Sequence, residues 1–265
     1  MRSIAIIIII GAIQGLIEWI PISSSGQIIV LLAQIIGANP STAYDYSLAL
    51  HLGTALSALV AYRHKIYRTL KSMLRKIKSK EHVALLLTLT PSCSFLIGIP
   101  IYLILKIQLS KISANEVNAL IGLALIATGL ISYKSKKNSK FKEISNFKVK
   151  EAILLGAAQG LSVIPGISRS AITIALLLIL GFKSEDAFEA SFIAAIPVTF
   201  AAGLAEIFRA PSLSILAGIF SAFACGLIAM NFMLMISRKV KFHKLLIMLG
   251  LIMIASYAFA LIQKI

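Results

Sequence analysis

Charge is scarce in this 265-residue chain: 14% of it is Asp, Glu, Lys or Arg, and only 10 residues are acidic. Soluble domains carry roughly 25% charged residues, so a water-soluble globular protein is excluded. The two cysteines, Cys93 and Cys225, both lie in apolar segments, which excludes a disulfide framework, and no CxxC metal spacing occurs. Of the 4 histidines, His64, His82 and His243 sit in or beside basic stretches and read as solvated or headgroup-facing; His51 alone lies inside an apolar span. The start, Arg2 before an apolar run, lacks a small-x-small cleavage site and is expected to stay in the mature chain.

What is abundant is hydrocarbon: 58% of residues are hydrophobic, in runs such as "VALLLTLTPSCSFLIGIPIYLIL" that match the thickness of a bilayer. The pattern predicts an all-α polytopic membrane protein, one integral domain over residues 1–265. The formal charge of +16 does not point to nucleic acid, because the basic residues are grouped beside spans. Of 26 Lys and Arg, eight fall in 63–80, seven in 134–150 and four in 238–244. Basic loops flanking spans face the cytoplasm and favour anionic lipid. A multi-pass cell-membrane protein is expected, with these three loops inside.

Spans are expected at 44–62, 82–105, 117–133, 186–208, 213–236 and 243–263. Regions 3–37 and 150–181 each hold two short apolar pieces around a Pro/Ser/Gly-rich break, "WIPISSSG" and "SVIPGISRS". Pieces of roughly 11–15 residues reach only part of a ~30 Å core, so re-entrant hairpins fit better than full spans. With the basic loops inside, each half is a broken hairpin plus three spans. Three is odd, so the halves are inverted: repeat 1 about 1–133, a basic loop 134–150, and repeat 2 about 150–265. "GAIQGLIEWIPISSSGQ" aligns with "GAAQGLSVIPGISRSAIT", pairing Gln14 with Gln159. Inverted repeats with broken helices near the midplane are common in transporters.

The breaks carry the polar residues. Gln14 and Glu18, four apart, share a helix face, and an intramembrane carboxylate faces a cavity or a partner. Ser23, Ser24 and Ser25 either cap the next helix or bind a ligand. Ser168, Arg169, Ser170 and Thr173 open a helix, and a guanidinium, hydroxyls and a helix N-terminus together suit an anion such as phosphate. Arg169, isolated from other basic residues, either pairs structurally with Glu18 or joins it in one site. Glu206 and Arg209, three apart at a span end, are placed to pair with each other.

"QGLIEWIPISSSGQ" together with "PGISRSAIT" resembles the bacitracin-resistance, or undecaprenyl-pyrophosphate phosphatase, family over essentially the whole chain. The resemblance implies a membrane hydrolase that removes the terminal phosphate from a polyprenyl diphosphate, recycling a lipid carrier. It implies Ser24 as nucleophile, with Glu18 and Arg169 also catalytic. Ser23, Ser25, Ser168, Ser170, Thr173, Gln14 and Gln27 are implied around the phosphates. A divalent cation, Mg²⁺ or Ca²⁺, is implied on Glu18.

Two departures stand out: Gln14 replaces the first acid of the family's Glu-x-x-x-Glu motif, and Gln27 replaces a histidine. With no proton acceptor at 27, Glu18 or His51 is the candidate for proton transfer. The partners expected are the lipid substrate (undecaprenyl or dolichol-type), the membrane and a homodimer, with no nucleic acid. The alternative is a carrier that moves a polyprenyl phosphate or another anion without hydrolysis.

Overall fold

The computed structural model describes residues 2–20, 24–74, 81–108, 119, 122–123, 126–127, 129–130, 133, 142–164, 167–209, 211–237 and 242–262. The described residues are helical, with no β-strand among them. In chain order the helices are α1 (Arg2–Ile17), α2 (Ser24–Ile36), α3 (Pro40–Leu74), α4 (Glu81–Leu87) and α5 (Leu89–Gln108), then α6 (Val149–Leu161), α7 (Arg169–Ile179), α8 (Ser184–Arg209), α9 (Leu213–Ser237) and α10 (Phe242–Ile262). Among the described residues, three stretches are long and apolar enough to cross a bilayer: His82–Leu105, Ser184–Arg209 and Leu213–Met235. The expected span 117–133 lies mostly outside the described residues.

Both expected breaks interrupt helix. The 16 residues of α1 measure about 24 Å and the 11 of α7 about 16 Å, against ~30 Å of hydrocarbon. Helix α1 ends where Ile20 N bonds Ile17 O, one residue before Pro21 in the sequence, as expected from the restriction a proline places on its predecessor. Helix α7 starts on Ser168, whose hydroxyl accepts from Ala171 N at 3.3 Å. It ends at Gly181 (φ 90°), where Gly181 N bonds Leu178 O and Phe182 N bonds Leu177 O.

The reading of the basic stretches as loops needs correction. The stretch 63–80 is no loop up to residue 74, because α3 runs on for 35 residues; Lys and Arg are good helix formers, and this end of α3 is largely exposed. Likewise Ile144–Asn146 forms one 3₁₀ turn within 134–150, and helix resumes at Val149 and Phe242 inside the other two basic stretches. The span 82–105 stands as the bilayer-length stretch His82–Leu105, with a turn at Thr88 where Pro91 has no N–H to offer the Leu87 carbonyl.

Packing pairs the broken segments with the spans of the other half. Helix α1 lies along α9, and α6 lies along α5. Both crossings are tight: a Cβ on Gly11 would sit 2.1 Å from Gly218 O, and one on Gly156 would sit 2.5 Å from Thr90 O. Small residues allow this approach, which is how helices gain dispersion contacts where lipid removes the hydrophobic drive. Helices α3 and α8 pack against each other at the centre, and α2 and α7 flank them. Trp19, Phe188, Phe192, Ile174 and Leu177 form a buried cluster behind α7.

Candidate active site

The two breaks meet. The Ser170 hydroxyl donates to Ile20 O at 3.1 Å, and the Tyr44 hydroxyl donates to Val163 O at 2.9 Å. These bonds satisfy backbone carbonyls freed by the breaks, which hydrocarbon could not satisfy. They also fix the end of α1 against the start of α7.

Glu18 is the hub. It is 4% exposed, and its two oxygens face different partners. Oε1 accepts from Arg169 at 2.5 Å. Oε2 accepts from the Ser24 hydroxyl at 2.5 Å and from the Gln14 amide at 2.9 Å, with His51 Nε2 at 3.3 Å. Gln14 and Glu18 share a face as their spacing requires. Ser24, first in α2, reaches back across the break to the carboxylate.

Arg169 is held by the one carboxylate and by the ring of Trp19, with its guanidinium carbon 5.4 Å from the ring centroid. Its second terminal nitrogen is buried without a hydrogen-bond partner among the described residues. Such a donor is costly in the empty site and available to an anion. His51 is oriented from its own helix, with Nδ1 2.6 Å from Ser47 O. The same nitrogen lies 3.5 Å from the Gln14 amide nitrogen, and Nε2 faces the Glu18 carboxylate.

These groups line one cavity of about 420 Å³. Glu18, Ser24, Ser25, His51, Ser168, Arg169 and Ser170 stand at one part of it, and Gln159, Ser94 and Ser162 continue the polar lining. Between α5 and α8 the wall turns apolar, with Phe95, Ile99, Leu103, Val198 and Ala202. Further along α8 stand Glu206 and Arg209, paired at 2.7 Å as their spacing suggests. Tyr102 links them, donating to Glu206 at 3.0 Å and accepting from Arg209 at 2.8 Å.

Ser24, Arg169, Gln14 and His51 thus converge on Glu18, and Ser25, Ser168 and Ser170 line the same cavity, while Thr173 and Gln27 do not. Thr173 is fully buried behind the site, bonded to Arg169 O at 2.7 Å and Ser191 Oγ at 2.6 Å, and supports α7 rather than facing the cavity. Gln27 is not among the described residues that line the cavity. Ser23 lies outside the described residues. Sequence reasoning missed Trp19, although the chain's one tryptophan directly follows its membrane carboxylate. It also missed Tyr44, whose partner Val163 is distant in the chain, and Ser47, which acts through its backbone carbonyl.

Among the described residues, no group of three or more His, Cys, Asp or Glu is placed to hold a metal ion. The one carboxylate beside Ser24 has both oxygens engaged by donors. This donor set does not fit a divalent cation held as the resemblance implies, where carboxylate oxygens must be open.

A family model described as bacitracin resistance protein BacA matches residues 7–254. A protein of Methanothrix thermoacetophila named undecaprenyl-diphosphatase is 32% identical over 261 residues, covering 97% of this chain and 98% of its own. Another of that name, from Saccharolobus solfataricus, is 32% identical over 271 residues, covering 97% and 96%. A third, from Methanopyrus kandleri, is 34% identical over 250 residues, covering 92% of each chain.

Proposed function

The chain belongs to the bacitracin resistance protein BacA family, and from that membership and the geometry above we infer that it hydrolyses a polyprenyl diphosphate to the monophosphate and inorganic phosphate. The relatives' shared name, undecaprenyl-diphosphatase, gives the reaction class. The observation that carries the site is the meeting of Ser24, Glu18 and Arg169 on one cavity wall.

Arg169 turns its unpartnered nitrogen to the terminal phosphate, and its charge offsets the charge that spreads over the phosphoryl oxygens. The Ser24 oxygen attacks that phosphorus, and its proton passes to Glu18 Oε2 along the existing hydrogen bond. As the Ser24–phosphorus bond forms, the bond to the bridging oxygen breaks, and the polyprenyl monophosphate leaves with the electron pair. Water then attacks the phosphoserine; phosphate departs, and the proton on Glu18 returns to Ser24. Ser168, Ser170 and Ser25 surround the phosphates, while Gln14 and His51 hold the carboxylate from behind.

The apolar wall between α5 and α8 suits the isoprenoid chain. The crossings of α1 with α9 and of α6 with α5 correspond under an exchange of halves, which supports two inverted repeats, each a re-entrant hairpin plus three spans. The basic stretches 63–80, 134–150 and 238–244 are assigned to the cytoplasmic side. On that assignment α8 runs outward, so Glu206 and Arg209 mark the outer mouth of the cavity. The carrier alternative is not favoured by the relatives' names.

The test is phosphate release from a polyprenyl diphosphate by purified protein in detergent. Release above an Arg169→Ala control is expected. Equal release from both, or none from either, ends the hydrolase reading, and uptake of the lipid phosphate into vesicles without release would support the carrier.

A further inference from the structure

Gln14 is fully buried one helical turn before Glu18, and its surroundings say what it does. Its amide nitrogen donates to Glu18 Oε2, the oxygen that also accepts from Ser24. A second acid at this position would face that oxygen with a like charge, and two such carboxylates either share a proton or hold a cation between them. Here a neutral donor stands in the cation's place. His51 Nε2 approaches the same oxygen from α3, and Arg169 holds the other. Arg169, Gln14 and Ser24 are donors, so each of the two carboxylate oxygens is already engaged by side chains. The cavity's other described carboxylate, Glu206, is likewise engaged by Arg209 and Tyr102.

A divalent ion shared by the diphosphate and one carboxylate needs an open oxygen on that carboxylate. Opening one here means displacing Arg169, the positive group that suits the phosphate, or unseating Ser24. Positive charge for the phosphate oxygens is already present on Arg169, whose second nitrogen has no hydrogen-bond partner among the described residues. We infer that this chain binds and hydrolyses its diphosphate without a divalent cation, and that Gln14, together with His51, is the positioning residue that makes this possible. The activity arm rests on the hydrolase reading above; the binding arm stands without it.

Two measurements separate them. In the first, Mn²⁺ is titrated into purified protein with a methylene-bridged diphosphate analogue, and bound metal is read by electron paramagnetic resonance. Wild type is expected to hold no stoichiometric Mn²⁺, whereas Gln14→Glu gains one site. Analogue affinity in wild type should shift less than threefold on adding a chelator. A stoichiometric Mn²⁺ in wild type, or affinity lost tenfold with chelator, overturns the inference whether or not the protein turns over. In the second, phosphate release from farnesyl diphosphate should persist within threefold in excess chelator. Release by Gln14→Glu should fall at least tenfold in chelator and recover with Mg²⁺. Wild-type release that is abolished by chelator and restored by Mg²⁺ or Ca²⁺ also overturns it. A chain that releases no phosphate under any condition sinks the hydrolase reading, and the Mn²⁺ titration still decides this one. His51→Gln tests the second positioning residue: Gln14→Glu/His51→Gln should hold Mn²⁺ more tightly than Gln14→Glu alone, and equal affinity would remove His51 from the account.

Discussion

Replacing Arg169 by lysine keeps the charge and removes the fork. In the native site one terminal nitrogen bonds Glu18 at 2.5 Å, while the other is buried and unpartnered. A lysine satisfies Glu18 with its single ammonium and leaves no second planar donor for phosphate. Losing that charge-assisted bond costs about 2 kcal/mol. The guanidinium also lies 5.4 Å from the Trp19 ring centroid, a contact worth about 1 kcal/mol in a partly desolvated setting. Together about 3 kcal/mol is roughly a hundredfold in kcat/KM. The assay is phosphate release from farnesyl diphosphate in detergent, with size-exclusion chromatography to check the fold. Trp19→Leu isolates the ring contact and should cost only about fivefold, near 1 kcal/mol. Arg169→Lys within threefold of wild type would refute the fork argument. Trp19→Leu as damaging as Arg169→Lys would refute the division between the two terms.

Gly156→Ala places a Cβ 2.5 Å from Thr90 O and 2.6 Å from Cys93 Cβ, so the α6–α5 crossing must open; a cost of about 1–3 kcal/mol is expected as a lower thermal midpoint. Gly37→Ala, with φ 66° but nothing within 4 Å, should cost about 1 kcal/mol from backbone strain alone. Arg209→Gln leaves Glu206 facing the cavity without its cation and should raise KM severalfold with kcat nearly unchanged, because the pair stands away from Ser24. For orientation, Lys71→Cys and Leu213→Cys in a chain whose own cysteines are replaced should differ: an impermeant maleimide labels intact cells at 213 and needs lysis to reach 71.

The outline of the site was legible because its residues break a rule of their surroundings. Glu18 and Arg169 are charges in apolar segments, and each lies beside a proline- and serine-rich break that cannot be lipid-exposed helix. That reasoning also brought the two breaks together, since each lacked what the other held. What sequence could not give was the division of labour within the cluster. Thr173 and Ser170 are three residues apart, yet one is buried against Ser191 and the other lines the cavity. That difference is set by how α7 rotates against α8, which no local pattern encodes. The limits of α3 were missed for a related reason: charge ends a span but not a helix, so the basic stretch reads as a loop while the helix continues into it as far as Leu74.

The most direct test of the account is an experimental structure with a methylene-bridged polyprenyl diphosphate analogue. The account predicts the terminal phosphate within about 3.2 Å of the free Arg169 nitrogen. The Ser24 oxygen should lie in line with the bridging carbon, and the hydrocarbon should run along the α5–α8 wall. A terminal phosphate held instead at Arg209, or Ser24 turned away from the phosphorus, would contradict it.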